Sequence, residues 1–226
     1  MKESDSNQAE ALYARALAAY DAGERQPVVD LAFEAVARYP QSPEAKALRL
    51  LLAQGYEFGD FGEYALDEAR DLYRGLADSS IGEPESLVGA ARTLFRIDAQ
   101  KNQDEIVRLC DRAIQRHDDV HAKMILGRLY ERVRGEVEPA RRMYLAAYRQ
   151  GLPWGLRFLA QSYARQGFRL RAGTLFLITS LTSPFLVMRH GVRGPFSKRA
   201  WIYDLGSSTT TQHSSGSLSR CANKSR

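Results

Sequence analysis

The chain has 226 residues, 44% of them hydrophobic and 26% charged, with two cysteines and a formal net charge of +5. This is the composition of a folded soluble chain long enough for a sizeable core. Cys110 and Cys221 lie far apart, outside any CxxC or Cys/His framework; that pattern speaks against a disulfide scaffold or a zinc module and suits a reducing compartment. The charge is a gradient: residues 1–80 carry 8 basic and 15 acidic side chains (−7), residues 81–156 carry 13 and 11 (+2), and residues 157–226 carry 11 basic side chains against Asp204 alone (+10).

The N-terminal stretch MKESDSNQAEALYARALAAY is acidic and opens with no apolar run, which argues against a secretory leader. Arginine greatly outnumbers lysine, which points to a bacterial source, and the expected location is cytoplasmic. From about residue 8 to about residue 183, apolar and small residues recur every three or four positions, with no sustained alternation that would build a sheet. Breaks at Ala22-Gly23, Tyr39-Pro40, Gly59 to Gly62, Gly82 to Pro84, Asp118-Asp119, Gly151 to Pro153, Gly167 and Ser183-Pro184 delimit segments of helical length. The spacing predicts about ten helices in antiparallel pairs.

The pairs repeat a pattern. The first carries Ala16-Leu17-x-x-Tyr20, then Val28, Ala32, Ala35 and Pro40; the second, Leu52-Ala53-x-x-Tyr56, then Ala65 and Ala69. The third is degenerate, with Ile97 in the tyrosine position followed by Ile106, Cys110 and Ala113. The fourth reads Leu126-Gly127-x-x-Tyr130, then Ala140, Tyr144, Ala147 and Pro153; the fifth, Leu159-Ala160-x-x-Tyr163, then Gly167, Ala172, Phe176 and Pro184. The steps between the five anchors are 36, 41, 33 and 33 residues. Small residues let the helices of a pair approach, the tyrosine fills the gap to the next turn, and the closing proline is expected to stop the second helix.

Over residues 9–185 this pattern resembles the tetratricopeptide repeat, and its Sel1-like relative in the fourth and fifth units. The resemblance implies an all-α, right-handed solenoid of about five antiparallel helix-hairpin repeats, in which stacked neighbours bury what one hairpin cannot. Residues 1–8 are then an N-terminal extension, 186–205 a basic cap or linker that includes Trp201, Ile202 and Tyr203, and 206–226 a Ser/Thr-rich tail with too little apolar material to order. The apolar run 172–188, flanked by Arg169, Arg171, Arg189 and Arg193, is short for a membrane span and holds a proline. It reads as the buried final helix of the repeat. The competing reading is a peripheral anchor through 172–199 on an anionic bilayer.

Other motifs compete less well. Arg189-His190-Gly191-Val192-Arg193-Gly194-Pro195 is similar to the RHGxRxP signature of the histidine acid phosphatases, where the resemblance would make His190 the nucleophile and Arg189 and Arg193 phosphate clamps. That family sets the motif after a strand of a large α/β domain, with a His-Asp pair far downstream; here there are no such strands and the one His-Asp pair, His117-Asp118, lies upstream, so a phosphatase is an alternative only. His117-Asp118-Asp119-Val120-His121 has metal-ligand residue types, but a helix starting after Asp119 would leave His117 outside it; acidic N-capping is the expectation, and no metal or cofactor is called for. Cys110 belongs in the core. No nucleic-acid fold accompanies the C-terminal arginines.

What the resemblance does imply is a concave surface lined by residues two and six before each anchor and one or two after it. In the fourth unit these are Arg128, Met124, Glu131 and Arg132; in the fifth, Gln161, Arg157, Ala164 and Arg165, with Trp154 one turn earlier. Ala14 and Ala18 hold these places in the first unit. The expected function is a non-catalytic interaction scaffold whose basic groove, through Arg128, Arg132, Trp154, Arg157, Gln161 and Arg165, takes an acidic or carboxylate-bearing protein segment.

Overall fold

The computed structural model describes residues 3–62, 65–77 and 83–190, with side chains described over 5–62, 65–77 and 84–181. The tail and all but the first five residues of the cap or linker lie outside this range, as do Cys221 and the motif beyond Arg189-His190. Among the described residues there are ten α-helices and no strand: α1 (Glu3–Asp21), α2 (Arg25–Arg38), α3 (Pro43–Phe58), α4 (Leu66–Arg74), α5 (Glu83–Asp98), α6 (Gln103–His117), α7 (Val120–Leu129), α8 (Val137–Arg149), α9 (Pro153–Arg165) and α10 (Arg169–His190). A π-helical turn, Tyr130–Arg134, extends α7. Each helix packs on the next, and α1 on α3, α3 on α5 and α5 on α7 as well, so five hairpins stack as the repeat spacing predicts.

Local chemistry sets the helix ends. The Ser42 hydroxyl accepts from the Ala45 N–H at 3.0 Å ahead of Pro43, and Asp119 caps α7 by accepting from the Ala122 N–H at 2.8 Å. Asp118 closes α6 with a left-handed backbone, φ 49°, so His117 ends one helix and His121 sits in the next. Asp119 thus N-caps the following helix as expected, whereas the Asp118 carboxylate accepts from Lys123 Nζ and Gln150 Nε2 instead. Two hairpin turns were not legible as breaks. Between α5 and α6 no Gly or Pro occurs; the Asp98 carboxylate accepts from the Lys101 N–H at 2.9 Å and its carbonyl accepts from Asn102 Nδ2 at 2.8 Å. Between α7 and α8 the π-helical turn ends on Gly135 at φ 71°.

The core is built from the small residues of the pattern, such as Ala32, Ala53, Ala113 and Ala160, packed against leucines; Cys110 is buried among them, and burial pushes its thiol pKa well up. The largest aromatic fillers are tyrosines of second helices, Tyr73 in α4 and Tyr144 in α8, both fully buried. Each lies against a glycine, Gly89 of α5 and Gly127 of α7, where any Cβ would collide with the ring. The anchors themselves are less buried, and Tyr20 is exposed. Tyr56 and Tyr163 instead make edge-on contacts with Phe61 and Phe168 at their helix ends, centroids 6.0 and 6.1 Å apart.

Two expectations fail at α10. The helix does not stop at Ser183-Pro184 but continues to His190. A proline removes one N–H and crowds one carbonyl, which disfavours a helix without ending it when the bonds on either side persist. Nor is α10 a buried helix over its described side chains, which reach Leu181. It packs one side on α9 through Ala172, while Leu170, Phe176, Leu177 and Leu181 are exposed. No helix among the described residues is long and apolar enough to cross a membrane.

Candidate binding surface and the ion clusters beneath it

An acidic residue follows the anchor in each of the first four units: Asp21, Glu57, Asp98 and Glu131. At the C-terminal end of a helix a carboxylate faces the unfavourable end of the dipole, so it needs a partner. Two of these acids found one in the same way, and sequence reasoning missed both clusters. The Tyr-Glu dipeptide recurring at Tyr56-Glu57 and Tyr130-Glu131 was the available signal.

Glu57 is fully buried at the end of α3. It accepts from the Tyr73 hydroxyl at 2.8 Å and from Arg92 Nη2 at 2.6 Å, while Arg92 Nε bonds its other oxygen. Arg96 Nη1 donates to the Glu57 carbonyl at 2.7 Å, and the Arg92 guanidinium lies 5.1 Å from the centre of the Phe58 ring. Three elements, α3, α4 and α5, are thereby fastened at one carboxylate. The phenol of Tyr73 is held neutral: burial above all, and the Glu57 charge after it, push its pKa well up.

Glu131 repeats the arrangement two hairpins later. It accepts from the Tyr144 hydroxyl at 3.0 Å and pairs with Arg165 Nη1 at 2.9 Å. The Tyr144 ring stacks on Phe158, centroids 5.7 Å apart, and Arg128 covers Phe158 at 4.7 Å. Burial, then Glu131, raise the Tyr144 pKa as well, while Arg128 opposes them.

The six residues expected to line the groove therefore separate. Arg128, at 1% exposure, does not reach the surface; it sits in the core over Phe158. Its position after Gly127 on a continuous buried run of α7 is what encloses it, whereas an arginine in a periodic pattern reads as polar surface. Arg132 is exposed on the π-helical turn. Trp154, Arg157, Gln161 and Arg165 share one side of α9 at three- and four-residue spacing. Trp154 is half-buried in its first turn and Arg157 lies 5.1 Å from the ring centre. Gln161 is half-buried, and Arg165 reaches back to Glu131 of the preceding hairpin. The surface is thus a basic, aromatic strip on α9 joined through Arg165 to a carboxylate, rather than a uniformly basic trough.

No family model matches the chain, and no curated protein matches it in sequence. Among solved structures, the crystal structure of MamA superposes with a TM-score of 0.59 at 16% identity, over 74% of this chain and 92% of that one. The crystal structure of a Sel1 repeat protein from Oxalobacter formigenes superposes with a TM-score of 0.54 at 17% identity, over 85% of this chain and 82% of that one. The chain therefore has the fold of a helical-hairpin repeat solenoid.

Proposed function

We propose that the protein is a non-catalytic interaction scaffold that binds an acidic or carboxylate-bearing protein segment through Arg132 of the π-helical turn and Trp154, Arg157, Gln161 and Arg165 of α9. The observation that carries this reading is the Arg157–Trp154 stack. The indole restricts a guanidinium that still reaches solvent, so less freedom is lost when it pairs with a carboxylate. Its surroundings favour anions: from Pro153 to Leu181 the chain carries four arginines and no acidic residue. Arg128 supports the site from below by holding Phe158, and so α9, in place. The helical-hairpin fold suits the role, since stacked hairpins present one continuous face to an extended segment.

The test uses arrays of acidic and scrambled-neutral peptides, each with a free or an amidated C-terminus, followed by anisotropy titrations. Wild type is expected to retain acidic peptides and an Arg157→Glu variant to lose at least about tenfold in affinity, the equivalent of roughly 1.4 kcal/mol. A preference for free over amidated termini identifies a terminal carboxylate as the ligand. Equal binding by the variant, or no preference for acidic peptides, removes the site.

A further inference from the structure

The repeat makes each helix comparable with its counterpart one hairpin away, and the outermost described helices leave open what inner helices cover. On α10, Ala172 and Phe176 fill the positions of Ala140 and Tyr144 on α8. Tyr144 is fully buried because α9 lies over it, with Phe158 stacked on its ring. Phe176 is 38% exposed, and beside it Leu177 and Leu181 are 61% and 71% exposed. On α1, Ala11, Arg15 and Ala18 hold the positions, relative to the anchor, of Val88, Arg92 and Phe95 on α5. Those three are buried, whereas Ala11, Arg15 and Ala18 are all exposed.

The two open faces also differ in charge. Residues 3–38, which form α1 and α2, carry seven acidic and three basic side chains; residues 153–181 carry four arginines and no acid. One end is negative and the other positive, while the sequence beyond α10 is itself basic, with Asp204 its only acid, and does not complement α10 in charge.

We propose that the chain associates head to tail with a second copy of itself, α1 of one copy packing on α10 of the next as each first helix packs on the preceding second helix inside the solenoid. Small Ala11 and Ala18 admit the large Phe176, Leu177 and Leu181, and Arg15 comes over the Phe176 ring as Phe158 lies over Tyr144. The contact is heterologous, so it does not close on itself and propagates with concentration. This inference is independent of the peptide site on α9.

Sedimentation velocity of the full chain over a concentration series reads it directly. Dimers and longer species are expected to grow with concentration and to shrink as salt rises. Leu177→Glu/Leu181→Glu on one face and Ala11→Arg/Ala18→Arg on the other change exposed positions, so far-UV circular dichroism should match wild type. Each double variant is expected to weaken self-association by about thirtyfold or more. Mixed together, the two variants still share one intact pair of faces and should form a 1:1 dimer and nothing larger. A wild type that stays monomeric throughout overturns the proposal, as does a mixture that forms no dimer. Self-association lost in the α10 variant but kept in the α1 variant would indicate symmetric pairing and also overturns it. Monomeric protein that floats with phosphatidylserine-containing vesicles and is released by the α10 variant would assign that face to lipid instead.

Discussion

The Glu57 and Glu131 clusters use one design at two degrees of enclosure. In both, a carboxylate one residue after the anchor tyrosine accepts from the hydroxyl of a buried tyrosine on the hairpin's second helix, and an arginine from the next hairpin completes it. Around Glu57 the arginine is buried with the acid and grips both of its oxygens. Around Glu131 the side chain of Arg165 is 43% exposed and makes one bond. The same residues thus give a sealed fastening in the middle of the solenoid and an open one beside the proposed binding surface. Enclosure, rather than the number of charges, decides what each contributes.

The sharpest way to break this comparison is Arg92→Met. It leaves Glu57 charged and without its guanidinium in the core, and a buried ion stripped of its partner costs about 3–5 kcal/mol. Urea denaturation is expected to show that loss, and a Glu57→Gln/Arg92→Met double variant should recover part of it. If Arg92→Met costs no more than a surface substitution, Glu57 is not sealed. Next in size are Gly89→Ala and Gly127→Ala, whose new methyl groups meet the Tyr73 and Tyr144 rings. Both rings are enclosed, so the expected cost is about 1–3 kcal/mol at each site. A cost near zero at either glycine would mean that its tyrosine has room to move.

Much of this architecture was legible because the repeat constrains it twice, by period and by residue size. Ala53, Gly127 and Ala160 fall three residues before their anchors, and their spacing alone placed the hairpin contacts. The turn after Asp98 was hidden because its closing bonds come from side chains rather than from glycine or proline. Pro184 misled in the opposite sense, as a breaker inside a continuing helix. Arg128 shows the limit for sites: its charge reads as surface, and only the three-dimensional meeting of α7, α8 and α9 places it over Phe158. The acids after the Tyr56 and Tyr130 anchors were visible in sequence, but the tyrosines they bind lie 16 and 13 residues further on, in a helix whose facing side the pattern does not specify in advance.

Smaller effects sharpen the contrast. Tyr73→Phe removes a hydrogen bond to a buried carboxylate and is expected to cost about 1.5–3 kcal/mol, against about 1 kcal/mol for Tyr144→Phe at the more open site. Both phenols have pKa values raised above that of the unfolded chain. Their contribution is therefore complete below about pH 10, where free tyrosine is neutral, and declines above it as the unfolded state ionises first. Thermal melts from neutral to strongly alkaline pH should show this decline, and the double Tyr→Phe variant should flatten it. An unchanged slope would mean that another group governs alkaline unfolding.

Arg165→Gln is expected to have the smallest effect, at most about 1 kcal/mol, because an arginine nearly half in water forfeits little when its ion pair is removed. The loss should also shrink with added salt, since the pair is reached by counterions, whereas the cost of Arg92→Met should barely respond. Measuring both variants at low and high ionic strength separates enclosure from charge. If the two respond alike, the clusters are equally exposed and the comparison fails. If only Arg165→Gln responds, the Glu131 side of the solenoid is the one where a partner's carboxylate can compete for an arginine at little cost to the fold.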